Sequence, residues 1–103
     1  MAARTKKYIL KMYVMGQSSY TQVLIKELKN IFPPDFTDYE IKIIDVLKNP
    51  DLAEEDRILA TPTVIKEYPL PVRKVMGDLS DKEKVLVGLG LFFDGPEGGQ
   101  EAR

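Results

Sequence analysis

The 103-residue sequence predicts a single α/β domain of order β-α-β-α-β-β-α, and three observations predict it. The segment Lys7 to Val14 alternates at the period of a strand, with Tyr8, Leu10, Met12 and Val14 on one face. Between it and a second strand-like run at Tyr39 to Val46, the apolar residues Val23, Leu24, Leu28 and Ile31 recur at helical spacing. Finally, a charged helical segment gives way through Thr61-Pro62-Thr63 to the apolar pair Val64-Ile65. Proline removes a backbone donor and pushes the preceding residue towards extended geometry, so the helix must stop by Thr61 and a strand can start beyond Pro62.

Taken in order, the first strand has a mixed second face of Lys7, Ile9, Lys11 and Tyr13, which implies partial cover on both sides. Gly16-Gln17-Ser18-Ser19 is a turn in which either serine can cap the helix from Tyr20 to Phe32, which Pro33-Pro34 ends. In the strand Tyr39 to Val46, Ile41 and Ile43 stand opposite Ile44 and Val46, with Lys42 among them. Two strands joined through a helix imply a parallel β-α-β unit. Asn49-Pro50 opens the next helix with a capping side chain and a proline at the first helical position, and Asp51, Glu54 and Glu55 lie near the positive end of its dipole. Leu52, Ile58 and Leu59 are its candidate core contacts. Glu54-Glu55-Asp56 reads as a solvated face, because consecutive helical residues point in different directions and no second polar cluster completes a metal or acid site.

The region after Pro62 admits two readings. In one, Thr63 to Lys66 is a strand, Tyr68-Pro69-Leu70-Pro71 a stiff turn, Val72 to Met76 an edge strand, and a capping box of Ser80 and Glu83 starts a final helix at Asp81. In the other, the alternation of Val85, Val87, Leu89, Leu91 and Phe93 makes the end of the chain a strand. Gly88 and Gly90 each cost a helix interior about 1 kcal/mol relative to alanine, so start signal and body disagree. Such local conflict narrows the gap to competing folds. Residues 94–103 read as a flexible tail after a domain of residues 1–93.

Composition excludes several function classes. With 15 basic and 16 acidic residues the chain has no general attraction to nucleic acid. It has no cysteine and no histidine, which rules out disulfides, CxxC redox chemistry, thiolate nucleophiles and the usual zinc or haem ligands. No cofactor is expected. The basic start, Met1 to Lys7, is followed by no apolar stretch long enough for a secretory signal, and no run approaches a membrane span, so a cytoplasmic location is expected.

A Thr-Pro step before a core strand, in a chain that begins β-α-β, is the arrangement of thioredoxin-like folds, where that proline is commonly cis. Three long runs narrow the resemblance further: Ile44 to Pro50, Leu52 to Thr63, and Pro71 to Leu89 closely resemble the KaiB family of clock proteins. The resemblance implies a non-enzymatic, fold-switching regulator of the KaiC-type hexameric ring ATPase, modulating its phosphorylation and ATPase cycle. It implies a thioredoxin-like (βαβαββα) partner-bound state and an alternative resting-state tetramer fold (βαββααβ) that differs in the second half, with a homo-tetramer or dimer at rest. KaiA and a SasA-like histidine kinase are further implied partners. By match to the family, Lys42, Arg57, Lys66, Arg73 and Lys74 are the basic residues of the binding surface. Pro62 is the isomerising proline, and Gly88 and Gly90 are positions whose substitution tips the fold equilibrium. Gly90 stands where clock members usually carry an acidic residue. Two other readings accompany this one: a KaiB-like stress-response adaptor or tetrameric structural protein without clock function, and a thioredoxin-like oxidoreductase, against which the missing cysteines argue.

Overall fold

The computed structural model describes residues 7–93; the tail expected at 94–103 lies outside the described residues. The elements are β1 (Tyr8–Val14), α1 (Ser19–Lys29), β2 (Tyr39–Asp45), α2 (Pro50–Glu55), β3 (Thr63–Tyr68), β4 (Arg73–Met76) and α3 (Lys82–Leu89). They form one four-stranded sheet in the order β2-β1-β3-β4, with β1 parallel to β2, antiparallel to β3, and β3 antiparallel to β4. This is the thioredoxin-like order expected from the sequence, and the second half takes the helical reading of residues 82–89.

Alternation along β1 sets the layers. Leu10, Met12 and Val14 are fully buried with Leu24 and Leu28 of α1, Val85 and Leu89 of α3, and Val64 of β3. Both long helices therefore cover the same face of the sheet. Tyr8 closes the far end in an aromatic cluster with Phe32, Phe36 and Phe93, beside a Phe32–Tyr39 stack 3.9 Å between ring centroids. The loops at the C-terminal ends of β1 and β2 are tied together by Asp45, whose carboxylate accepts from the backbone N–H groups of Gly16 and Leu47, each at 2.9 Å.

Several expectations are corrected. Val23 is exposed on α1, and the buried position is Thr21, whose hydroxyl donates to the Gly16 carbonyl. Helix α2 has six residues and buries none of them; Leu52 and Leu59 are exposed and Ile58 is only half-buried. It stops early because Arg57 takes the left-handed conformation (φ 55°), letting the Arg57 and Ile58 N–H groups close back on the Glu54 and Ala53 carbonyls. Asn49 does not cap it with its side chain, which donates instead to the Asp45 carbonyl. Helix α3 is capped by Asp81, not Ser80: Asp81 accepts from the Lys84 N–H, while the Ser80 N–H is taken by Asp78. Gly90 is not interior either. At φ 68° it terminates α3, with the Gly90 and Leu91 N–H groups bonded to the Val87 and Leu86 carbonyls. The Thr61-Pro62, Tyr68-Pro69 and Leu70-Pro71 peptide bonds are cis.

Candidate protein-docking surface

The sheet carries cations on both faces, and the strand register dictates which. Lys11 and Lys42 are neighbours across the parallel β1–β2 pair, and on that face Glu67 of β3 bridges them: Lys11 Nζ lies 2.8 Å from one carboxylate oxygen and Lys42 Nζ 3.5 Å from the other. Lys11 also holds Asp56 at 2.7 Å. Fully buried Tyr13 donates its hydroxyl towards Asp56 Oδ2 and the Leu52 carbonyl, and Lys74 Nζ donates to the Asp56 carbonyl at 2.8 Å. The last turn of α2, which lacks buried apolar residues, is thus gripped by polar groups from β1 and β4. Burial alone would raise the Asp56 carboxyl, but hydrogen bonds from Lys11 and Tyr13 outweigh it and hold the group below the ordinary carboxylate value. Burial and the bond to Asp56 push the Tyr13 phenol up to about 12. Burial opposes the charge on Lys11, yet the two carboxylates prevail and keep it firmly protonated.

The α3 face carries the second group. Lys66 pairs in register with Leu10 on β1 and with Arg73 on β4. Lys66 is only 3% exposed, and its ammonium donates to the Pro69 carbonyl at 2.9 Å. Burial first, and then the charge on Arg73, lower its pKa. Gly90 lies directly above: a side chain there would begin 3.9 Å from both Lys66 Nζ and Arg73 Nε.

The five basic residues expected at a binding surface therefore divide. Lys42 is half-exposed and Lys74 exposed on the α2 face, with exposed Arg57 at the end of α2; exposed Arg73 and buried Lys66 point to α3. The pairing of Lys11, Tyr13, Asp56 and Glu67 escaped sequence reading, although the mixed second face of β1 was its signal. Asp56 is an organised ion-pair member instead of part of a solvated acidic face. Among the described residues no group of acidic, histidine or cysteine side chains could hold a metal ion, and no helix is long and apolar enough to cross a membrane. Leu52, Leu59, Leu70, Val72 and Met76 are large apolar side chains left exposed, the kind of residue that protein contacts cover.

Comparison with known proteins agrees in sequence and in fold. The family model described as the KaiB domain matches residues 11–91. The chain is 58% identical to the circadian clock oscillator protein KaiB of Synechococcus elongatus over 85% of this chain and 87% of the relative. It is 58% identical to KaiB1 of Synechocystis over 86% of each. Among solved structures, the N-terminal domain of Synechococcus elongatus SasA superposes with a TM-score of 0.68 at 23% identity, over 87% of this chain and 90% of that one. Mitochondrial thioredoxin 3 of Saccharomyces cerevisiae gives 0.62 at 16%, over 82% and 78%. The fold is thioredoxin-like.

Proposed function

The chain belongs to the KaiB family, and from that premise we propose that it is a non-enzymatic regulator that binds a KaiC-type ring ATPase and modulates its ATPase and phosphorylation cycle. The observation that carries the reading is the 58% identity to clock oscillator KaiB proteins across most of the chain. A chemical point supports it: a thioredoxin-like chain without cysteine lacks the thiolate that thioredoxin chemistry requires, which leaves its surfaces for binding. In this reading Arg57, Arg73, Lys42 and Lys74 steer an acidic partner surface into register, and KaiA and a SasA-like histidine kinase are further partners. Fold switching belongs to the same proposal. The segment after Asp45 exchanges between this architecture and a tetrameric resting form a few kcal/mol away, with Pro62, Gly88 and Gly90 at the positions that set the balance.

Size-exclusion chromatography with a cognate KaiC in ATP tests it. We expect a late-forming complex that co-elutes with the hexamer and, without KaiC, a species larger than a monomer. A chain that never co-elutes after long incubation overturns ATPase regulation in favour of a structural or stress-response role.

A further inference from the structure

The connection between α1 and β2 forms a cleft that ATPase regulation leaves unused. It holds about 560 Å³, inside the range of about 300–1,000 Å³ that small-molecule sites occupy. Its wall is aromatic: the rings of Phe32, Phe36 and Tyr39 lie within 13° of parallel, pair by pair, at centroid distances from 3.9 to 6.3 Å. Phe93 braces Phe32 and Phe36 edge-on. Phe36 and Tyr39 are only half-buried, so their faces offer a flat ring a surface to stack on. This wall is held in place by the backbone. Pro33 and Pro34 each fix one angle, and the Phe36 N–H closes a turn on the Pro33 carbonyl at 3.0 Å. At the far end the Asp38 carbonyl accepts from the Lys7 and Tyr8 N–H groups, and its carboxylate also takes the Lys7 N–H. A wall so pinned has little ordering cost left for a ligand to meet.

The rim is cationic. Lys29, the last residue of α1, and Lys82, the first of α3, line the cleft, and no carboxylate does. Neither lysine has an ion pair among the described residues. Asn30 and Thr37 add side chains that can hydrogen-bond and that have no such partner among the described residues. A stacking wall below two unpaired ammonium groups complements a ring that carries negative charge. We infer that this cleft binds a small planar aromatic anion, its ring against Phe36 and Tyr39 and its charged group on Lys29 and Lys82. Nucleoside monophosphates and aryl carboxylates share that chemistry. The cleft sits at the start of β2, the end away from α2, and the inference does not depend on the chain's regulating an ATPase.

The test is an NMR titration of the full-length chain alone, with adenosine monophosphate and naphthalene-2-carboxylate as probes and adenosine and naphthalene-2-carboxamide as their uncharged counterparts. For ligands of this size a Kd of about 1 mM is expected, with saturating shifts at the amides of Asn30, Phe36, Thr37, Tyr39 and Lys82. Saturation by the nucleotide alone identifies a nucleotide site, and saturation by the naphthoate alone an aryl-acid site; each supports the inference. Lys29→Gln with Lys82→Gln, two exposed positions whose change should leave folding intact, is expected to weaken the anion about tenfold and the uncharged counterpart not at all. Equal binding of anion and uncharged counterpart by the wild-type chain overturns the inference, as does an anion whose affinity ignores both lysines. So does the absence of saturable shifts at these amides by about 10 mM of either anion, tenfold above the expected Kd. Because no ATPase enters the experiment, any of these failures leaves ATPase regulation standing.

Discussion

Tyr13 shows how one side chain serves fold and surface together. Its ring is fully buried in the sheet layer, yet its hydroxyl reaches the Leu52 carbonyl and Asp56 carboxylate. Tyr13→Phe removes one donor and leaves two acceptors at the end of α2, a loss of about 1–2 kcal/mol in urea unfolding. It also changes the pH profile. Because the folded-state phenol is raised to about 12 from an unfolded value near 10, its stabilisation is complete below about pH 10 and is lost as pH rises towards 12. Asp56, held low, adds stability above its unfolded value near 4 that is lost in more acidic solution. The variant should therefore unfold less steeply between about pH 10 and 12 than wild type. Parallel alkaline limbs in the two chains would remove Tyr13 from the account.

At the scale of the element, α3 and β4 meet at Gly88. A Cβ at this position would stand 2.6 Å from Val75 Cγ2, closer than real side chains approach. Two effects oppose one another: alanine in a helix interior gains about 1 kcal/mol over glycine, and the contact must be relieved by turning Val75 on an edge strand where it is half-buried. We expect Gly88→Ala and Val75→Ala to be coupled, the alanine at 88 being more favourable when Val75 is trimmed, by about 0.5–2 kcal/mol in a double-mutant cycle. Additive effects would mean that the helix is free to move off the strand. The same contact explains why Gly88 was visible in the sequence only as a propensity defect: its meaning lies in a side chain from another element. Strand β1 was legible because Tyr8, Leu10, Met12 and Val14 place a buried apolar residue at every second position, and α1 because Leu24 and Leu28 share a stripe. Helix α2 was legible at its start, where Pro50 occupies the first position, but not at its end or in its packing. Leu52 and Leu59 look like core residues to any periodicity argument, while the groups that hold the helix, Lys11, Tyr13 and Lys74, come from distant stretches of chain.

Over the whole molecule, charge is placed with little net sum: the chain totals −1, yet Arg57 at the end of α2, Lys66 on β3 and Arg73 and Lys74 on β4 set four cations on neighbouring elements. Such a distribution acts on association more than on stability. Arg73 and Lys74 separate the two roles. Arg73 is exposed and has no ion pair among the described residues, so Arg73→Ala should leave urea unfolding within about 0.5 kcal/mol of wild type. Lys74 grips the Asp56 carbonyl, so Lys74→Ala should loosen α2 and cost about 1 kcal/mol. If the cations steer docking, the association rate with a KaiC-type ATPase should fall several-fold as ionic strength rises through about 0.1 M, where screening reaches roughly 10 Å. Arg73→Ala should slow association at low salt and flatten that dependence, measured by stopped-flow mixing with the ATP-loaded hexamer. An association rate that ignores both salt and Arg73 would mean that docking is set by the exposed apolar side chains around β4, Leu70, Val72 and Met76, and that the charges serve only solubility.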